Sequence, residues 1–171
     1  MGDPGGVVVW LTGLPSSGKT TLAERTREAL RSAGLPACVL DGDAVRAAVH
    51  PAPGYGPAAR DDQYATLAEL AALLARQGLV VLVSATAHRR AWRERARAAA
   101  PRFVEVYVRT GVEECAARDA KGLYARARAG EVTGLPGVDV PYEAPDAPEI
   151  VAEGGLDAAA VARIIASVRA P

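Results

Sequence analysis

Nine residues, GLPSSGKTT at 13–21, place two glycines, a lysine and several hydroxyls in the pattern G-x-x-x-x-G-K-[ST]. That pattern serves polyphosphate binding. Gly13 and Gly18 let backbone N–H groups turn inward to form an anion nest, with Leu14, Pro15, Ser16 and Ser17 completing the loop between them. Lys19 reaches the β- and γ-phosphates of a nucleoside triphosphate. The Thr20 hydroxyl suits Mg²⁺, and Thr21 closes the motif. Lysine is scarce in this chain: 18 of its 20 basic residues are arginine, leaving Lys19 and Lys121. Arginine presents a planar fork and lysine a compact, movable charge, so a position that stays lysine in this background calls for the latter.

A second group is DGDAVR at 41–46. Paired carboxylates beside a phosphate loop hold Mg²⁺ waters or accept the proton of an attacking hydroxyl, and Asp41 and Asp43 suit either task. Arg46 stands three residues beyond Asp43, in reach of an anion. The same aspartates also fit a turn that caps a helix. In HRRAWRERAR at 88–97, helical spacing puts Arg90, Arg93 and Arg97 on one face. Arg90, directly after a strand, is the candidate ligand contact. Arg95 and Arg97 read as a solvated surface balanced by Glu94.

These groups need elements to hold them. Four apolar runs, VVVWLT (7–12), ACVL (37–40), LVVLVSA (79–85) and FVEVYV (103–108), have strand composition, and three are continuous enough for strands buried on both faces. Helical patterns at 20–33, 58–77 and 91–100 separate them, and a short extended piece at 150–151 precedes a helix at 156–169. Strands alternating with helices predict an α/β fold with a parallel sheet flanked by helices. The chain reads as a single domain, 1–171. Residues 121–148, rich in glycine and proline, break the alternation. A long irregular stretch in a compact domain is typically functional, here a lid.

Composition narrows the alternatives. Half of the residues are apolar, 23% are charged and the formal net charge is zero, which argues against a nucleic-acid-coating or membrane-surface protein. No run reaches a membrane span and MGDPGG has no leader pattern, so the expectation is a cytoplasmic protein. Cys38 and Cys115 are far apart and read as reduced thiols. There is no N-K-x-D for guanine. The length and the lid favour a kinase over a motor or switch.

The segments GLPSSGKTTLA, LDGDAVR, FVEVYV, RDAKGLYARARAGEVTG and GVDVPYEAPDAPE resemble adenylyl-sulfate kinases (APS kinases) over nearly the whole chain. The resemblance implies a P-loop NTPase fold, ATP and Mg²⁺, and a homodimer. It implies transfer of the γ-phosphoryl of ATP to the 3′-hydroxyl of adenosine 5′-phosphosulfate, giving PAPS. Residues 13–21 would hold ATP, Thr20 and Asp41 would face Mg²⁺, and Lys19, Asp41, Asp43 and Lys121 would carry catalysis. Substrate would meet Asp43, Arg46, Tyr55, Arg60, Gln63, Thr86, Ala87, Arg90, Lys121, Gly134 and Leu135. Tyr55 takes the place of an aromatic that stacks on the substrate adenine, and Lys121 that of a lid lysine. Departures cluster on the acceptor side. Ala44 and Gln63 each replace an asparagine. Ala87 stands where the family has a serine once assigned as a phosphorylated intermediate. His88 and Arg89 replace Pro-Tyr, and Leu135 replaces a second stacking aromatic. Two other readings follow from these departures: a same-fold kinase with a different acceptor, and a nucleotide-binding regulator without catalysis.

Overall fold

The computed structural model describes residues 6–170; most of the MGDPGG segment read above lies outside them. Element order is β1 (Val7–Thr12), α1 (Lys19–Ser32), β2 (Ala37–Asp41), α2 (Gly42–Ala48), α3 (Pro57–Ala75), β3 (Val80–Ser84), α4 (Arg90–Ala99), β4 (Phe103–Val108), α5 (Val112–Ala117), α6 (Leu123–Arg128), β5 (Ile150–Ala152) and α7 (Ala158–Arg169). The five strands form one parallel sheet in the order β2-β3-β1-β4-β5.

The β-branched runs become strands because each can bury both faces. From β1, Val7, Val9 and Leu11 pack with Leu22, Leu30 and Ile164 of α1 and α7. Val8 and Trp10 face the other way, against Leu67, Ala71 and Ala96 of α3 and α4. Strand β2 is the exception to the expectation of full burial. It is the sheet edge, and every residue in it is only half-buried.

Register sets the site. Leu11 pairs with Ser84, and Asp41 pairs with Ser84 on the other side. The carboxyl ends of β1, β2 and β3 therefore lie side by side, where parallel α/β sheets bind ligands.

Two short helices, α5 and α6, were not expected from the sequence. Residues 121–148, read as a lid, are more ordered than their composition suggested. They contain α6, and their Tyr124 and Leu135 share a small core with Leu14 of the phosphate loop and Cys115 of α5. No helix among the described residues is long and apolar enough to cross a membrane.

Candidate active site

The loop after β1 turns its carbonyls away from the nest. Lys19 Nζ donates to the carbonyls of Gly13 (3.0 Å) and Leu14 (2.7 Å). Tyr124 Oη of α6 donates to the Pro15 carbonyl at 2.8 Å. Thr110 Oγ1 donates to the Ser17 carbonyl at 2.9 Å. With these acceptors occupied outside the nest, N–H groups and the start of α1 are left to meet an anion. Gly18 is at φ 99°, and a Cβ there would come 2.5 Å from the backbone nitrogen of Gly155. Glycine is therefore required by both conformation and space. Burial lowers the pKa of the Lys19 ammonium to about 8, with the charges of Cys115, Asp41 and Asp43 opposing the shift in part.

Thr20 Oγ1 donates to Asp41 Oδ2 at 2.8 Å and lies 2.9 Å from Ser84 Oγ. The other Asp41 oxygen, Oδ1, accepts the N–H groups of Asp43 (3.0 Å) and Ala44 (3.1 Å) at the start of α2. The helix-capping reading of this aspartate is seen on Oδ1, and its other oxygen is held by Thr20. Thr20 and Asp41 form an oxygen donor set that fits Mg²⁺, which is held by one or two carboxylates together with phosphate oxygens. Among the described residues no group of three or more His, Cys, Asp and Glu makes an all-protein metal cage.

Asp43 and Lys121 meet across the mouth. Lys121 Nζ donates to Asp43 Oδ2 at 2.7 Å, and both side chains are about two-thirds exposed, at 67% and 68%. The hydrogen bond to Asp43, and then its charge, raise the Lys121 pKa. A residue of the lid thus reaches one of the DGD turn, 78 positions away in sequence.

The remaining predicted residues divide. Arg46 lies over the Tyr55 ring, 4.5 Å from its centroid, and donates to the Pro53 carbonyl at 3.2 Å. Tyr55 is exposed. Arg60 Nη2 donates to the Gly134 carbonyl at 2.7 Å, tying α3 to the lid. Gln63 is buried and donates through Nε2 to the Gly42 carbonyl at 3.1 Å. Its Oε1 has no partner among the described residues. Thr86 offers a carbonyl that accepts from Thr12 Oγ1 at 2.7 Å.

Three residues sit differently from expectation. The Ala87 side chain is fully buried in the core, so any contact it makes with a ligand is through backbone. Leu135 is buried with Leu14 and Tyr124 rather than offering an open face for stacking. Arg90 directs its guanidinium to Asp146 at 2.9 Å. The α4 arginines do share one face, but that face holds the chain from Glu143 to Glu149. Arg93 is buried, bonded to Glu105 Oε1 (2.8 Å) and to the carbonyls of Ala87 (2.6 Å) and Glu143 (2.7 Å). Arg97 pairs with Glu149 at 2.6 Å, not with Glu94, and is no free solvated charge.

Sequence reasoning missed Ser84, Thr110 and Tyr124 as site residues. Ser84 ends β3, the strand beside β1, and that placement was the available signal. Thr110 and Tyr124 act on the phosphate loop from more than 90 residues away.

A profile of the family described as Adenylylsulphate kinase matches residues 5–153. An adenylyl-sulfate kinase of Picosynechococcus sp. is 43% identical over 152 residues, covering 89% of this chain and 86% of that one. The bifunctional enzyme NodQ of Azospirillum brasilense is 46% identical over 145 residues, covering 84% of this chain and 23% of that one. Among solved structures, the Mycobacterium tuberculosis APS kinase CysC in complex with AMPPNP and APS superposes with a TM-score of 0.88 at 36% identity. That match covers 96% of this chain and 98% of the other.

Proposed function

The chain belongs to the adenylylsulphate kinase family, whose activity is ATP-dependent phosphorylation of adenylyl sulfate to PAPS, and from that premise we propose how its residues divide the work. Residues 13–21 hold the triphosphate, with Lys19 leaving the Gly13 and Leu14 carbonyls for the phosphates. Thr20 and Asp41 hold Mg²⁺, which when bound offsets charge on the phosphate oxygens. Asp43 orients the acceptor 3′-hydroxyl and accepts its proton. Lys121 exchanges its Asp43 partner for the oxygens of the transferring phosphoryl group as the lid closes and excludes water. Arg46, Arg60 and the exposed Tyr55 ring border the acceptor, with Gln63, Thr86, Gly134 and Leu135 behind them.

The observation that carries this reading is the Lys121–Asp43 contact beside the Thr20–Asp41 pair. It supports Lys121 as the cation that meets the phosphoryl group and Asp43 as the proton acceptor, beside the Thr20–Asp41 pair near the carboxyl ends of β2 and β3. Ala87 has no hydroxyl, which excludes a phosphoserine at this position, and direct in-line transfer to the acceptor hydroxyl needs none.

The test is a coupled ADP assay with MgATP, with and without adenylyl sulfate, together with chromatographic detection of PAPS. Acceptor-dependent ADP matched by PAPS is expected. ADP release only with a different phosphorylated acceptor, or tight ATP binding with no acceptor-dependent turnover, would refute it. The proposal includes a Mg²⁺ requirement and a cytoplasmic homodimer, read by EDTA inhibition and by sedimentation.

A further inference from the structure

The backbone between β3 and α4 is held by four separate elements. Thr12, ending β1, donates its hydroxyl to the Thr86 carbonyl at 2.7 Å. Tyr64 Oη, on α3, accepts the Ala87 N–H at 3.0 Å. Arg93, on α4, donates to the Ala87 carbonyl at 2.6 Å. The Glu143 N–H donates to the His88 carbonyl at 2.9 Å. Ala87, at the centre, has φ 38°, a conformation that costs an L-residue energy and persists only where its surroundings impose it. Here they do so on both sides of the residue.

Behind the loop stands an aromatic wedge. Trp92 stacks on Tyr64 with centroids 4.4 Å apart, and His88 meets Trp92 edge-on at 4.8 Å. The Trp92 indole N–H donates to Asp61, and Arg89 lies over the indole. None of these side chains belongs to the phosphate loop or the DGD turn. The chain leading into the loop they fix does border that turn: a Cβ on Gly42 would lie 3.4 Å from the Ser84 carbonyl oxygen and 3.9 Å from Ala85 Cα. Tyr64 also follows Arg60 by one helical turn and Gln63 by one residue on α3. One helix therefore carries candidate acceptor contacts and the clamp on the facing loop.

We propose that Tyr64 is a positioning residue for the acceptor, holding the strained Thr86–Ala87–His88 backbone at the distance from Arg60 and Asp43 that the acceptor nucleotide requires. This rests on the kinase reading above. The wedge of Tyr64, Trp92 and His88 supplies by packing the loop geometry that the buried, hydroxyl-free Ala87 side chain cannot. Removing the Tyr64 hydroxyl leaves the Ala87 N–H buried and unpaired and lets the loop relax from φ 38°.

Tyr64→Phe keeps the ring stack and removes only the hydroxyl. We expect its KM for adenylyl sulfate to rise about tenfold, with kcat and the KM for ATP within about twofold of the parent. Trp92→Phe, which keeps a ring against Tyr64 but frees Asp61, raises the acceptor KM about threefold in the same pattern. Amide hydrogen exchange at Ala87, measured without acceptor, is expected to speed up in Tyr64→Phe. An unchanged acceptor KM in Tyr64→Phe overturns the proposal. So does a fall in kcat with both KM values unchanged, which is the signature of a smaller folded fraction. A parent enzyme with no turnover on adenylyl sulfate refutes the kinase reading instead. The Ala87 exchange rate then still decides the clamp, and an unchanged rate overturns it.

Discussion

Lys19 gives a proton-linked prediction whose size follows from its burial. In the free protein its ammonium is held by two backbone carbonyls and its pKa is lowered to about 8 by desolvation. At pH 8 about half of the free protein therefore carries a neutral Lys19, and at pH 6.5 about 3% does. Triphosphate oxygens favour the charged form and pull the pKa back up. Binding must then take up about half a proton at pH 8 and almost none at pH 6.5. In affinity, nucleotide binding weakens as pH rises through 8, by about tenfold at pH 9. Calorimetric titration with a nonhydrolysable ATP analogue and Mg²⁺, in buffers of different ionisation enthalpy, reads the uptake directly. Lys19→Arg stays charged throughout and should show no uptake. Zero uptake by the parent at pH 8, or equal uptake by Lys19→Arg, would sink the argument.

Three further outcomes are expected. Lys121→Ala should lower acceptor-dependent turnover on the order of a hundredfold while leaving ATP binding within about twofold. Because the Lys121–Asp43 pair is mostly exposed, thermal unfolding should report a stability change of no more than about 0.5 kcal/mol. Asp43→Asn cannot take a proton, and steady-state kinetics should show kcat reduced by about 10²–10⁴; an unchanged kcat removes its role as proton acceptor. His88 is held at about 4, first by burial and then by Arg60 and Arg89, with Glu143 opposing. The unfolded chain therefore binds its proton at higher pH than the folded one. Stability should fall as pH drops from about 6.5 towards 4, with a limiting slope of about 1.4 kcal/mol per pH unit from this group. Urea midpoints at pH 7 and 5 measure it, and His88→Asn should flatten the slope.

The phosphate loop was legible because its chemistry is local. Nine consecutive residues carry the glycines, lysine and hydroxyls, and the β1 and α1 patterns on either side place them. The strands were legible for a similar reason, since continuous burial on both faces demands unbroken apolar runs. β2 was the partial exception, because nothing in four residues of ACVL says that they will form an edge. The α4 arginines show the limit more sharply. Their shared face is written in the 3.6-residue period, but what meets that face is not. Glu94 is the near carboxylate in sequence, whereas Glu105, Asp146 and Glu149 are the partners in space.

From the sequence alone came the donor side of the site: a phosphate nest, its lysine, a hydroxyl suited to a metal, two aspartates at the end of the next strand, and the resemblance that linked them to a kinase family. Each follows from residue types at short, fixed spacing. Tertiary structure alone decided what the two lysines of the chain hold, one gripping its own loop and the other reaching from residues 121–148 to Asp43. It also buried Ala87 and Leu135 and recruited Ser84, Tyr64 and Tyr124. Those outcomes depend on strand order and on which helices pack against which loops. They are contacts across tens of residues, and no local spacing encodes them.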